Sequence, residues 1–276
     1  MRFLSLSFAR LAVLAGLFIC QSPQAQASTL ADRSENTAVI LVHGWGHSQR
    51  VPYETWASIL VPYTDLTNLH EHYRELGFQN IHEVVYDDLA SVDEMAAAVA
   101  TQIQKIITDS HNPNLTLDIV AHSLGQYVAA QAILDERYTG VAGRRIADRV
   151  RIFIGLAGAV RGQDDIYPCH WFPDQCGGAE VLKPYYVGPG QGSPVIDRLF
   201  RDNFEALDKL RKCSIYSPRD EIVKWPYNSA SFLGLGLNPE SITDIEIDFQ
   251  GVKFHKEVKD SKEIFDQMIA GCYKGL

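Results

Sequence analysis

The sequence lacks several things, and each lack removes a class of protein. It contains no run of Lys and Arg, which argues against a nucleic-acid surface. No segment beyond the N-terminus approaches the ~20 apolar residues that a membrane span needs. Internal repeats and low-complexity tracts are missing as well, so a solenoid or a linker-rich chain is excluded. Cysteine is sparse, five in 276 residues. Only His170 lies near a cysteine, so the ligand spacing of a zinc site is missing. No metal and no organic cofactor is expected.

The N-terminus is the one place with a long apolar run. Arg2 and Arg10 flank a segment without acids, "LAVLAGLFIC" follows, and Ala25-Gln26-Ala27 offers a small-x-small cleavage site. This is the pattern of a secretory signal peptide over residues 1–27. A lipoprotein signal ending at Cys20 is the rival, but Ile19 stands where a small residue belongs. Without the leader's two arginines, 23 basic residues face 34 acidic ones. That balance suits a soluble protein, secreted or periplasmic, with no stable protein partner expected. About 249 residues then remain, 28–276, enough for one α/β domain with its own core.

Four cysteines lie in that mature part: Cys169, Cys176, Cys213 and Cys272. An even count in an exported chain points to disulfides. Three pairings are open. Pairing Cys169 with Cys176 closes the short loop "CHWFPDQC" and leaves Cys213 to Cys272 as the long-range bridge; this pairing is favoured.

Short apolar runs alternate with helical stretches, which predicts a mostly parallel sheet of about six strands covered on both faces. Strands are expected at 38–42, 81–86, 115–121, 150–156, 213–216 and 242–249. Helices are expected at 66–76, after the capping box Ser91-Val92-Asp93-Glu94, at 124–133, at 195–210 and at 261–273, the last capped by Asp260 and Glu263. Residues 157–210 form a long, cap-like insertion rich in glycine and aromatics, a length usually reserved for function.

Four motifs sit at strand ends. "LTLDIVAHSLGQ" (115–126) runs from a buried strand into a helix through Ser123, with Ala121 and Gly125 as the small residues a very tight turn requires. This is a nucleophile-elbow pattern; the plain alternative is a serine that caps a helix. "VILVHGWG" (39–46) ends a strand in His43-Gly44. The backbone N–H groups of Trp45 and Leu124 are the candidate oxyanion donors. "CSIYSPRDEIV" (213–223) presents Asp220 as the acid, in preference to Glu221. "VKFHKEVKDSKEIF" (252–265) places His255 after the last strand as the base. The order Ser123, Asp220, His255 is the one such hydrolases use. His43 and His122 flank the turns and read as structural. The apolar, glycine-punctuated stretch 224–237 is the candidate acyl pocket, with Phe232, Leu233 and Leu235 on its wall.

These residues resemble a known family. "VHG", "AHSLG" and "SIYSPRDEIV" are similar to the small bacterial class 2 triacylglycerol lipases. That resemblance implies a minimal α/β-hydrolase fold without the two usual N-terminal strands. It also implies a Ser-His-Asp ester hydrolase acting on lipid or other acyl esters, with contact to a lipid interface. The stretch "LAGAVRG" (156–162), followed by cysteines, is closer to the lipase-like extracellular polyhydroxyalkanoate depolymerases, and an acyltransferase could use the same constellation. Gln126 departs from the pattern, standing where a second glycine often follows the elbow.

Overall fold

The computed structural model describes residues 36–45, 66–88, 90–139, 143–162, 194–220, 222–223, 232, 236–248 and 254–276. The expected leader, the Cys169–Cys176 loop with His170, Glu221, and most of the 157–210 insertion lie outside these residues.

Six strands form one sheet: β1 (Thr37–Val42), β2 (Ile81–Val84), β3 (Thr116–His122), β4 (Val150–Leu156), β5 (Lys212–Tyr216) and β6 (Ile242–Glu246). Their spatial order is β2-β1-β3-β4-β5-β6, and every neighbouring pair is parallel. The helices are α1 (Thr67–Glu75), α2 (Val92–Asp109), α3 (Leu124–Leu134), α4 (Pro194–Asp202), α5 (Phe204–Lys209), α6 (Phe254–Asp260) and α7 (Lys262–Cys272).

The central strands read as unbroken apolar runs because both of their faces are covered. Along β1, Ala38, Ile40 and Val42 enter one core cluster with α2 and α3. Val39 and Leu41 enter the other, with α1, α6 and α7. Between the sheet and its outer helices, every residue of α3 from Leu124 to Leu134 is buried, as expected of a helix apolar all round. The Ser91 hydroxyl accepts from the Glu94 N–H, and Glu94 accepts from the Ser91 N–H, so the capping box forms as expected.

Several boundaries differ from the sequence reading. The second strand stops at Val84, because the Gln102 side chain bonds both the N–H (3.2 Å) and the C=O (2.6 Å) of Val85. The stretch 195–210 is two helices, broken at Asn203, whose side-chain amide donates to the Arg198 carbonyl. The closing helix is capped by Ser261, which accepts from the Ile264 N–H, and not by Asp260 and Glu263. The last strand ends at Glu246.

On the surface, α4 is pinned to α2 through Asp93. Its carboxylate takes Arg137 (3.0 Å) and Arg198 (3.2 Å), and the Arg137 bond foremost holds its pKa down at about 2.

Cys213 on β5 and Cys272 on α7 are bonded, with Cα atoms 5.6 Å apart and a separation of 59 positions in sequence. Both are fully buried. Closing a loop of that length removes about 4 kcal/mol of freedom from the unfolded chain. The double variant Cys213→Ala/Cys272→Ala is therefore expected to melt roughly 8–16 °C lower. A thermal melt monitored by circular dichroism checks it, and an unchanged melting temperature would contradict the expectation.

Candidate active site

The sheet order reverses beside β1. The chain steps from β1 out to β2, then returns to lay β3 on the other side of β1. In parallel sheets the crevice at such a reversal, outside the carboxyl ends of the strands, is where ligands bind. The register brings Val42 beside Ala121, and His122 beside Leu156. The turns that follow β1, β3 and β4 therefore meet at one place.

Ser123 occupies that place. It has φ 54° and ψ −131°, between the last residue of β3 and the first of α3. A non-glycine residue in this conformation costs on the order of 1–3 kcal/mol and persists only if its surroundings hold it. They do so from the end of β4 and from α3. The Ser123 N–H donates to the Leu156 carbonyl (3.0 Å), and the Ser123 carbonyl accepts from Ala159 and Gln126 (3.1 Å each). Ala157, next to Leu156, is itself left-handed at φ 45°.

The two glycines around the elbow are sterically required. A Cβ on Gly44 would lie 2.7 Å from the Ser123 Cβ, and one on Gly125 would lie 2.1 Å from the His43 carbonyl oxygen. Backbone cannot yield as a side chain can. Gly125→Ala should cost about 3 kcal/mol or more, which lowers the melting point of a chain this size by at least roughly 6 °C. Differential scanning calorimetry of the variant reads this directly.

The structure brings the three residues expected from the motifs together. His255 Nε2 lies 2.9 Å from Ser123 Oγ. Its Nδ1 lies 3.0 Å from Asp220 Oδ2 and 3.2 Å from Oδ1. A nitrogen facing a carboxylate carries the proton, so Nε2 offers its lone pair to the serine hydroxyl. Asp220 is buried, and its Oδ1 also accepts from the N–H groups of Ile222 (2.8 Å) and Val223 (2.9 Å). His255 follows the last strand and precedes the closing helix, as expected, and lies in the first turn of the short helix α6.

His43 and His122 are scaffold residues. His43 Nδ1 donates to the Gly44 carbonyl (2.6 Å), and its Nε2 accepts from the Tyr86 N–H (3.3 Å). Tyr86 stacks on the ring at 4.2 Å and donates its hydroxyl to the His43 carbonyl. His122 Nε2 lies 2.8 Å from the His255 carbonyl oxygen. Burial, and then the nearby His255 and Lys259, push the His122 pKa well below the ordinary imidazole value.

The two expected oxyanion donors flank the serine. Leu124 opens α3 directly after it, so its N–H is among the first amides of the helix, which have no acceptor inside the helix. Trp45 follows Gly44 in the turn after β1, half-buried against the core.

The pocket expectation needs a correction. Phe232 is fully buried and packs edge-on to Phe153 of β4, centroids 6.1 Å apart, as part of the core. An aromatic ring with no solvent contact gains more from packing there than from lining a cleft. Leu233 and Leu235 lie outside the described residues.

Gln126, a departure from the family pattern in sequence, is the wedge that shapes the next turn. It is fully buried. A Cβ on Gly155 or Gly158 would come within 2 Å of its side-chain amide, 1.9 and 1.8 Å respectively. Its Oε1 accepts from the Val160 N–H (3.4 Å). "LAGAVRG" is glycine-punctuated at those positions to admit this side chain. The polar residue amid the apolar run of α3 was the available signal.

Residues 33–160 match the family described as "Putative serine esterase (DUF676)"; the match includes the Gly44 turn and Ser123 and ends before Asp220 and His255. No curated protein matches the chain by sequence. Among solved structures, the lin2722 gene product of Listeria innocua is 13% identical with a TM-score of 0.55, covering 87% of this chain and 95% of that one. The mature Bacillus licheniformis lipase BlEst2 is 11% identical with a TM-score of 0.51, covering 84% and 91%. Aspergillus fumigatus lipase B is 15% identical with a TM-score of 0.50, covering 85% and 52%. Against the larger phospholipase PlaB of Legionella pneumophila, the chain spans 37% of the protein's length. The fold is that of the α/β-hydrolases.

Proposed function

We propose that this chain is a serine carboxylic-ester hydrolase of the lipase and esterase type, with Ser123 as nucleophile, His255 as base and Asp220 as the residue that orients it. The observation that carries the reading is the unbroken relay from Ser123 Oγ through the His255 ring to Asp220, at 2.9 and 3.0 Å. The serine esterase match over residues 33–160 supports the same chemistry.

The mechanism follows from the contacts. His255 Nε2 takes the hydroxyl proton as Ser123 Oγ attacks the ester carbonyl. Negative charge develops on the carbonyl oxygen, where the N–H groups of Leu124 and Trp45 and the start of α3 stabilise it. His255 returns the proton to the leaving alcohol. Water then attacks the acyl-Ser123 ester, with His255 again taking the proton. Asp220 stabilises the imidazolium at both steps, and its bonds to Ile222 and Val223 keep it aimed. Export to a periplasm or medium is part of the proposal, supported by the leader pattern and the Cys213–Cys272 bond. The substrate is an acyl ester, lipid among the candidates.

The test is turnover of p-nitrophenyl esters from acetate to palmitate, together with labelling by a fluorophosphonate probe. Turnover with one label mapped to Ser123 is the expected result. A folded protein that cleaves none of the series and takes no label would sink the reading. Turnover confined to polyhydroxyalkanoate granules would keep the relay and change the substrate class.

A further inference from the structure

The residue before the nucleophile touches the base. His122 ends β3, and its Nε2 lies 2.8 Å from the carbonyl oxygen of His255. The two rings sit 4.8 Å apart, tilted by 50°. Both residues are buried, at 1% and 3% exposure. Since a carbonyl only accepts, His122 Nε2 must carry the proton. His122 Nδ1 then presents a bare lone pair. It is buried, has no hydrogen-bond partner among the described residues, and faces the Gly44 turn.

We propose that His122 is a positioning residue for the base: its Nε2–H clamps the main chain of His255 and so fixes the distance between the His255 ring and Ser123. The proposal rests on the ester-hydrolase reading of the same site. Asp220 holds only the ring of His255, at Nδ1. A ring tethered at one atom still moves if the helix that bears it shifts. The His122 bond holds the helix itself, and it does so from the residue adjacent to Ser123. Nucleophile and clamp therefore move together on one rigid strand end, and the 2.9 Å contact between Ser123 and His255 is kept in register.

Burial first, and then its neighbours, keep His122 neutral. His43 faces it from the end of β1, and His255 and Lys259 face it from α6. A second proton would sit on Nδ1 with no acceptor among the described residues, away from water and with the Lys259 ammonium nearby. Neutrality matters to the mechanism, since a charged His122 would oppose the imidazolium that forms on His255. It also argues against His122 as a second base: its free lone pair, on Nδ1, faces the Gly44 turn, and burial lowers its basicity.

Two substitutions separate a clamp from a space-filling ring. His122→Phe keeps the aromatic volume and loses the donor. Displacements near 1 Å at a reacting pair cost roughly 10²-fold, so its kcat on p-nitrophenyl butyrate should fall about 10- to 100-fold with KM within about twofold. His122→Gln places an amide N–H where the imidazole Nε2–H stood and should return kcat to within about threefold of the native enzyme. A Phe variant at half the native kcat or more, or a Gln variant as slow as the Phe variant, overturns the clamp. Should His122→Phe fail to fold, His122→Asn replaces it: its amide is too short to reach the carbonyl, and activity equal to that of the Gln variant is then the overturning result. A readout independent of turnover is the 15N spectrum of the histidine rings. His122 is expected as the neutral Nε2–H tautomer from about pH 5 to 8, the range in which an ordinary imidazole titrates. An Nδ1–H tautomer overturns the clamp. Because the spectrum needs no substrate, a failure of the ester-hydrolase reading and a failure of the clamp are distinguishable.

Discussion

Replacing Ser123 by alanine is expected to lower kcat on p-nitrophenyl butyrate by about 10⁶-fold, the scale at which removal of a serine nucleophile disables a relay of this kind. Among the described residues, nothing nearby is placed to take over. The His255 lone pair is aimed at the Ser123 hydroxyl, at 2.9 Å. The two other histidines near the elbow are spent on backbone: His43 between Gly44 and Tyr86, His122 on the His255 carbonyl. The backbone of the elbow is held by Leu156 and Ala159, not by the hydroxyl. The variant should therefore fold and melt within a few degrees of the native protein. Stopped-flow turnover paired with a thermal melt checks both halves. Substantial residual activity in a well-folded variant would remove Ser123 from the mechanism.

The second large effect belongs to Asp220→Asn, with an expected loss of about 10⁴-fold in kcat. The reason lies in the hydrogen bonds of this carboxylate. Its Oδ1 accepts from the N–H groups of Ile222 and Val223. An asparagine in the same place keeps its carbonyl oxygen on those two donors, because an amide NH₂ cannot accept. Its NH₂ must then face His255 Nδ1. That forces the imidazole into the other tautomer, with the proton on Nε2 and pointing at Ser123. The base now presents a donor where it needs an acceptor. Folding should be nearly unaffected, because both partners of the loop survive. The expected signature is a kcat loss with KM little changed and partial recovery at high pH. A variant within tenfold of native activity would show that the carboxylate does not set the tautomer.

The Asp220 case shows how much of the site local sequence can express. The strand-to-turn pattern marks Asp220 as the candidate acid, and the small residues around Ser123 mark the tight turn. Both are short-range demands, since a turn needs small side chains and a nucleophile needs a turn. The contrast with Phe232 is instructive. An apolar, glycine-rich stretch next to the acid has the composition of a pocket wall and equally that of a core loop. Only the ring of Phe153 across from it decides between them. The same holds for Gln126, whose meaning depends on Gly155 and Gly158 some thirty residues away.

By itself, then, the sequence determined the alternation of buried strands and covering helices, the capping box at Ser91, and the candidate nucleophile, acid and base with their order. These follow from periodicity, turn sterics and capping, which act over a few residues. Tertiary structure alone decided that β1 and β3 flank the crevice, that His255 rides on a helix, and that His122 reaches its carbonyl. Each of these joins residues far apart in the chain. Their contacts are set by how strands cross and helices pack, and no local pattern encodes that.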